Sequence, residues 1–170
     1  GPPGMANPRS ESQNGYIVWT WQNQPNALGY RIYSQGGELL TELSAGQNMW
    51  YQTGLAPYTS SSIQIEAYNI YGSSRSLFVY GDTLANPPTD LHVTRVGRTS
   101  VSLAWSANYN PNNIYYRIEK SLTSLFPRSV PFEDYEYVWD GSTSTILSGL
   151  MPGTTYYFRA RAGNNLNNYS

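Results

Sequence analysis

Chemistry in this chain would have to come from few side chains. His92 is the only histidine, Lys120 the only lysine, and cysteine is absent from all 170 residues. Without cysteine there is no disulfide, no thiolate nucleophile and no thiolate metal ligand. One histidine supplies neither a metal cluster nor a serine–histidine pair. His92 stands between Leu91 and Val93, so the two-residue period of a strand turns it toward solvent. Glu133, Asp134, Glu136 and Asp140 gather oxygen ligands of the kind calcium uses, yet they lack the Asp-x-Asp-x-Asp-Gly order of a calcium loop. Lys120, near Asn and Asp residues, has the partners of an intramolecular isopeptide bond, but it reads as an ordinary strand lysine. No catalytic residue, metal or cofactor is expected, and the chain is not expected to be an enzyme.

Charge narrows the partners. Charged residues are 12% of the chain and the net charge is -1, about half the usual charged share. Arginines are scattered from Arg9 to Arg161 rather than gathered into the basic stripe that phosphates require, which argues against nucleic acid. No apolar run is long enough to cross a bilayer, so no membrane insertion is expected within the segment. A hydrophobic content of 39% and an aromatic content of 15% are ample for cores. Asn168-Tyr169-Ser170 fits the acceptor pattern for N-glycosylation in a eukaryotic source.

The elements that must carry these residues alternate with a period of two. Ile17, Trp19 and Trp21 alternate with more polar neighbours, the residues from Gly29 to Tyr33 alternate again, and Gly/Pro/Asn turns punctuate the strands that follow. The second half repeats the plan. Val101 to Trp105 matches Ile17 to Trp21, Tyr116-Arg117-Ile118 matches Tyr30-Arg31-Ile32, and Gly149-Leu150 with Pro152 matches Gly54-Leu55 with Pro57. The step from Leu55 to Ala67 equals that from Leu150 to Ala162. Such agreement in one order indicates a duplicated unit. Asn86-Pro87-Pro88-Thr89 separates the copies as a short, semi-rigid joint.

Leu150, Pro152 and Tyr156 carry a resemblance: a Tyr at a sheet corner after a Leu-x-Pro turn resembles the tyrosine corner of fibronectin type III domains. The resemblance implies an all-β chain of two tandem immunoglobulin-like (fibronectin type III) β-sandwiches. Trp21 and Trp105 then take the place of the family's core tryptophan, and Tyr156 returns its hydroxyl to nearby backbone. Residues 1–7, beginning Gly1-Pro2-Pro3-Gly4-Met5, read as a cloning remnant or scrap of linker and are left out of the expected fold. Residues 8–85 form the first domain, divergent because Asn7 to Asn14 lacks a strand pattern, Gln52 replaces Leu147, and Ser61 replaces Tyr156. Residues 86–170 form the second, whose last strand is expected to be missing. That leaves an open edge for strand-mediated self-association.

The largest difference between the copies is an insertion. Tyr116 to Leu150 exceeds Tyr30 to Leu55 by nine residues, and the excess falls within Ser124 to Glu136. Loops on a rigid sandwich are where recognition is placed, so Leu125, Phe126, Phe132 and Tyr135 are the expected binding patch. The family resemblance implies extracellular or cell-surface placement and a protein partner, for recognition, adhesion or spacing. The alternatives are a carbohydrate-binding or accessory module of a secreted polysaccharide-degrading enzyme, and the ligand-binding part of a receptor ectodomain.

Overall fold

The computed structural model describes residues 1–126, 135–165 and 168–169. They divide into two units, Gly1–Thr83 and Leu84–Ser170, and among the described residues every regular element is a strand. Unit one contains β1 (Arg9–Gln13), β2 (Tyr16–Thr20), β3 (Gly29–Ser34), β4 (Leu39–Ser44), β5 (Met49–Gln52), β6 (Ser60–Asn69), β7 (Gly72–Arg75) and β8 (Val79–Asp82). One sheet runs β1-β2-β5; the other runs β4-β3-β6-β7, with β8 also on β6. All pairings are antiparallel. Unit two contains β9 (Thr89–Val96), β10 (Ser100–Ser106), β11 (Tyr115–Ser121), β12 (Tyr135–Val138), β13 (Ser144–Ser148), β14 (Tyr157–Asn165) and β15 (Asn168–Tyr169). Its sheets run β13-β10-β9 and β12-β11-β14-β15. Each unit is a two-sheet all-β sandwich.

Alternation builds both cores. Ile17 and Trp19 on β2, Ile32 on β3, and Ile63 and Ile65 on β6 are fully buried, and Ala6, Trp21, Tyr30 and Ala67 complete that cluster. In unit two Val101, Leu103 and Trp105 from β10 meet Tyr116 and Ile118 from β11. The core tryptophans repeat one contact, an edge-on approach to tyrosine: Trp21–Tyr30 at 5.5 Å and Trp105–Tyr116 at 5.3 Å between ring centroids. Edge-to-face geometry contributes about 0.5–1.5 kcal/mol beyond area burial. Burial pushes the Tyr116 phenol above its ordinary range.

The two cores differ in one coupled pair. Where unit two has Leu103 and Leu147, unit one has Trp19 and Gln52. Trp19 Nε1 donates to Gln52 Oε1 at 3.1 Å, so the polar residue answers a donor that the larger ring brings into the core.

The structure departs from the sequence expectation at both ends of the chain. Residues 1–7 are part of unit one: Pro3 is buried, Ala6 has no exposed surface, and Ser74 Oγ donates to the Pro3 carbonyl at 2.6 Å. Asn69 Nδ2 donates to the Gly1 carbonyl at 3.0 Å. This Pro/Ala stretch has no alternating pattern because single small residues, not a periodic face, make its contacts. The doubtful first strand is β1, paired along all five of its residues with β2. Its hairpin closes at Asn14-Gly15, with Gly15 at φ 79°, a left-handed backbone that glycine adopts without strain. β1 lies at a sheet edge and is largely exposed, which is why it shows no apolar alternation. In unit two, where the last strand was expected to be missing, β15 pairs with β14 through Gly163↔Tyr169 and Asn165↔Asn168.

The sheet corners are tied differently. In unit two the Met151 N–H donates to the Tyr156 hydroxyl at 3.1 Å. In unit one Ser61 does not take this part, nor does Tyr58. Thr83, fully buried, accepts from the Thr59 N–H at 2.9 Å and donates from the same hydroxyl to the Ala56 carbonyl at 2.7 Å. The tie comes from beyond β8 rather than from the start of β6.

Candidate functional site

In each unit the outward face of the sheet containing β3 and β6, or β11 and β14, carries arginine, glutamate and tyrosine at alternate positions. In unit one Glu66 on β6 is 8% exposed. It accepts from Tyr33 Oη at 3.1 Å, Ser73 Oγ at 3.0 Å and Arg75 Nη2 at 3.3 Å, with Arg31 Nη1 at 3.6 Å. The arginines also stack on rings, with their side chains left 37% and 41% exposed. Arg31 lies 4.1 Å from the Tyr68 ring centre and Arg75 4.0 Å from that of Tyr33, distances at which a guanidinium is attracted to the ring face. Tyr68 donates to Glu42 Oε1 at 2.6 Å, and that bond raises its phenol above the ordinary range.

Burial would push the Glu66 carboxyl up. Hydrogen bonds from Ser73 and Tyr33, together with the Arg75 charge, outweigh it and hold the group below the usual carboxylate range. A carboxyl lowered by folding stabilises fully above its unfolded pKa and loses that contribution as pH falls through the folded value. Acidification should therefore weaken unit one, and Glu66→Gln should remove that part of the pH dependence. Thermal melts of both proteins, from neutral pH down through the carboxylate range, test this; parallel curves would exclude it.

Unit two builds the same kind of cluster around a glutamate on the other strand. Glu119 on β11 has no exposed surface. Its Oε2 accepts from Arg159 Nε at 2.7 Å and also from Arg159 Nη2. Its Oε1 lies 3.2 Å from Arg117 Nε and 3.9 Å from Arg161 Nη1. Aromatic rings again roof the cations: Arg117 lies 4.0 Å from the Tyr135 ring centre and Arg159 4.7 Å from that of Phe126. Such stacking suits arginine, whose planar, weakly hydrated head tolerates being covered.

Beside this cluster runs a file of aromatic rings. Tyr135, Tyr137 and Trp139 alternate along and just beyond β12, with centroids 5.1 Å and 4.8 Å apart. Tyr115 joins from β11 at 5.6 Å from Tyr137 and 5.0 Å from Trp139. Tyr115 covers Gly163, where a Cβ would fall 2.4 Å from its ring. Unit one has the reverse arrangement: Tyr68 on β6 covers Gly29 on β3, and a Cβ there would fall 2.6 Å from its hydroxyl. In both units the two residues are directly cross-strand.

Of the residues expected to bind, the structure brings Phe126 and Tyr135 to one face, each over an arginine of the Glu119 cluster. Leu125 is 76% exposed. Phe132, like Glu133 and Asp134, lies outside the described residues. Sequence reasoning missed Tyr137 and Tyr115 and left Trp139 unassigned, although Tyr135-x-Tyr137-x-Trp139 spells out the period of two that sets three rings on one face. Trp139 is 58% and Tyr135 39% exposed. His92 is exposed, its Nδ1 2.7 Å from the Asp90 carbonyl. Lys120 Nζ lies 5.7 Å from the Tyr156 ring centre. Hydrogen bonds from Ser142, above all, hold the Asp140 carboxyl below its usual range. Among the described residues no group of three His, Cys, Asp or Glu is placed to hold a metal ion.

Comparison with known proteins bears on the fold that carries these residues. The family model for the fibronectin type III domain matches residues 86–169. Human usherin is 29% identical over 172 residues, 91% of this chain but 3% of usherin. Chicken receptor-type tyrosine-protein phosphatase eta is 30% identical over 86% of this chain and 10% of its own length. Mouse cytokine receptor-like factor 1 is 35% identical over 63% of this chain and 26% of its own. The chain thus spans only a small part of these relatives. Among solved structures, a two fibronectin type III domain segment from chicken tenascin superposes with a TM-score of 0.61 at 16% identity, covering 98% of this chain and 93% of that one.

Proposed function

We propose that this chain, which matches the fibronectin type III family over residues 86–169 and has the fold of a tandem segment of that family, works on the cell surface or in a secreted protein, and that it binds a protein partner rather than performing catalysis. The contact surface in this reading is the rim of unit two formed by Leu125, Phe126, Tyr135, Tyr137 and Trp139. The observation that carries it is the aromatic file on β12, an edge strand, whose last ring, Trp139, is more than half exposed. Large rings held in place by neighbours and flanked by arginine are the groups that dominate protein interfaces, because they bury much area at little entropic cost. Two relatives are receptors or receptor-like by name, which supports a protein as the partner.

The test is to screen the labelled 170-residue chain against arrays of purified extracellular domains and of glycans. At least one protein should bind, and Leu125→Ala with Trp139→Ala should weaken it by about thirtyfold, as expected for hot-spot anchors. The melting temperature should move by no more than about 2 °C, under ~1 kcal/mol for units of this size. Binding of glycans alone would favour the carbohydrate-binding module. Protein binding indifferent to both substitutions would remove the rim.

A further inference from the structure

The loop between β10 and β11 carries a different feature. Asn108 and Tyr109 are consecutive non-glycine residues with φ of 53° and 64°, the left-handed region where a Cβ crowds the backbone. Tyrosine gains nothing there from a short polar side chain, so the conformation persists only if its surroundings impose it. A clasp of asparagines does so. Asn110, 7% exposed, accepts from the Asn86 N–H at 2.7 Å and donates to the Asn86 carbonyl at 2.8 Å. Asn86 Nδ2 donates to the Asn108 carbonyl at 3.0 Å, and Asn108 Nδ2 to the Pro87 carbonyl at 2.8 Å. The Asn110 N–H closes the turn on the Ala107 carbonyl at 3.2 Å. The loop is fixed at its base, and Tyr109 stands at its tip with 90% of its surface exposed.

Strain held by four side-chain bonds, with no burial of the ring in return, is a poor way to stabilise a fold and a good way to present a side chain. We propose that Tyr109 is the anchor of a second binding site, separate from the aromatic rim, for a folded protein with an uncharged, tyrosine-sized hollow. The ring is a convex knob, so the concavity belongs to the partner. A sugar, which needs a concave site with polar groups around its hydroxyls, would meet one isolated ring. Residues 107–114 carry no charge, so the attraction comes from burying the ring and from asparagine hydrogen bonds, a tyrosine and asparagine composition shared with antibody paratopes. Prior fixing of the loop lowers the ordering cost of binding.

The 170-residue chain and its Tyr109→Gly, Tyr109→Phe and Trp139→Ala variants are screened against the panel of purified extracellular domains and against a glycan array. A panel protein should bind the parent and lose at least thirtyfold in affinity with Tyr109→Gly, much less with Tyr109→Phe, and little with Trp139→Ala. The affinity should barely change between low and high salt, because no ion pair is screened. Tyr109→Gly should leave the melting temperature unchanged or raised, since glycine accepts the left-handed backbone without strain. A lowered melting temperature would show that the ring serves the fold and overturn the inference. So would a panel without any Tyr109-dependent binder, or dependence on Tyr109 confined to glycans. The rim reading is judged separately, by whether a panel protein binds and loses affinity with Trp139→Ala and Leu125→Ala.

Discussion

Glu119→Gln should cost unit two about 3 kcal/mol and leave unit one unchanged. The carboxylate has no exposed surface and holds Arg159 through two donors, with Arg117 and Arg161 within 3.9 Å. Removing one member of a buried ion cluster costs about 3–5 kcal/mol, because the remaining charges stay desolvated. The lower end applies here, since the Arg159 and Arg161 side chains retain 31% and 34% exposure and water can partly compensate them. The amide would still accept one hydrogen bond but would leave the mutual repulsion of the guanidiniums unbalanced. Arg161→Gln, at the partly exposed and most distant member, should cost less than about 1 kcal/mol. Hydrogen exchange read separately over β11 and β14 and over β3 and β6 distinguishes the units. A loss below about 1 kcal/mol for Glu119→Gln would mean that the cluster is solvated and that its aromatic roof does not seal it.

Thr83→Val should destabilise unit one by about 2–3 kcal/mol, although valine has nearly the same shape. The substitution keeps the buried volume and deletes the hydroxyl that serves the Thr59 N–H and the Ala56 carbonyl. An orphaned buried polar group costs about 1–3 kcal/mol. The Thr59 N–H pays most of this, because Ala56 is exposed and its carbonyl can turn to water. Ser61→Ala should fall within about 0.5 kcal/mol, as surface substitutions do. Tyr156→Phe should cost unit two about 1 kcal/mol, since its bond to Met151 is exposed. Urea titrations of the four proteins rank these effects, and a Thr83→Val protein as stable as its parent would show that the corner does not depend on the tie.

The features legible in the sequence were those written in short periods. Ile17-x-Trp19-x-Trp21 and Val101-x-Leu103-x-Trp105 announced the core strands, and their repetition announced two units. Features set by a distant partner were not legible. Thr83 lies 24 residues from Thr59, and nothing local marks it as a corner residue. Gln52 reads as a flaw in an inward row, and only its diagonal bond from the Trp19 indole N–H explains it. The packing of Pro3 and Ala6 rests on single small side chains, which leave no periodic trace. The candidate site was half legible. Chain length drew attention to Leu125, Phe126 and Tyr135, whereas the glutamate and arginines beneath them depend on the cross-strand register of β11 and β14. Tyr109 could be placed in a loop from its asparagines and Pro111, but a left-handed backbone at tyrosine has no compositional signature.

The glycine beneath a tyrosine sets a direction on how two such units can diverge from one ancestor. Unit one holds Gly29 opposite Tyr68, and unit two holds Tyr115 opposite Gly163, so strand identity is exchanged while the covered contact is kept. A route between the two states that uses only tyrosine and glycine and changes one residue at a time must pass through either two tyrosines or two glycines. Two tyrosines would put a Cβ within 2.4–2.6 Å of the opposing ring or its hydroxyl, closer than packed atoms come. Two glycines only uncover a strip of backbone on an outward face, a loss that cross-strand pairing can absorb. Along such a route the exchange would pass through a unit without either ring, the first tyrosine going before the second arrived on the other strand.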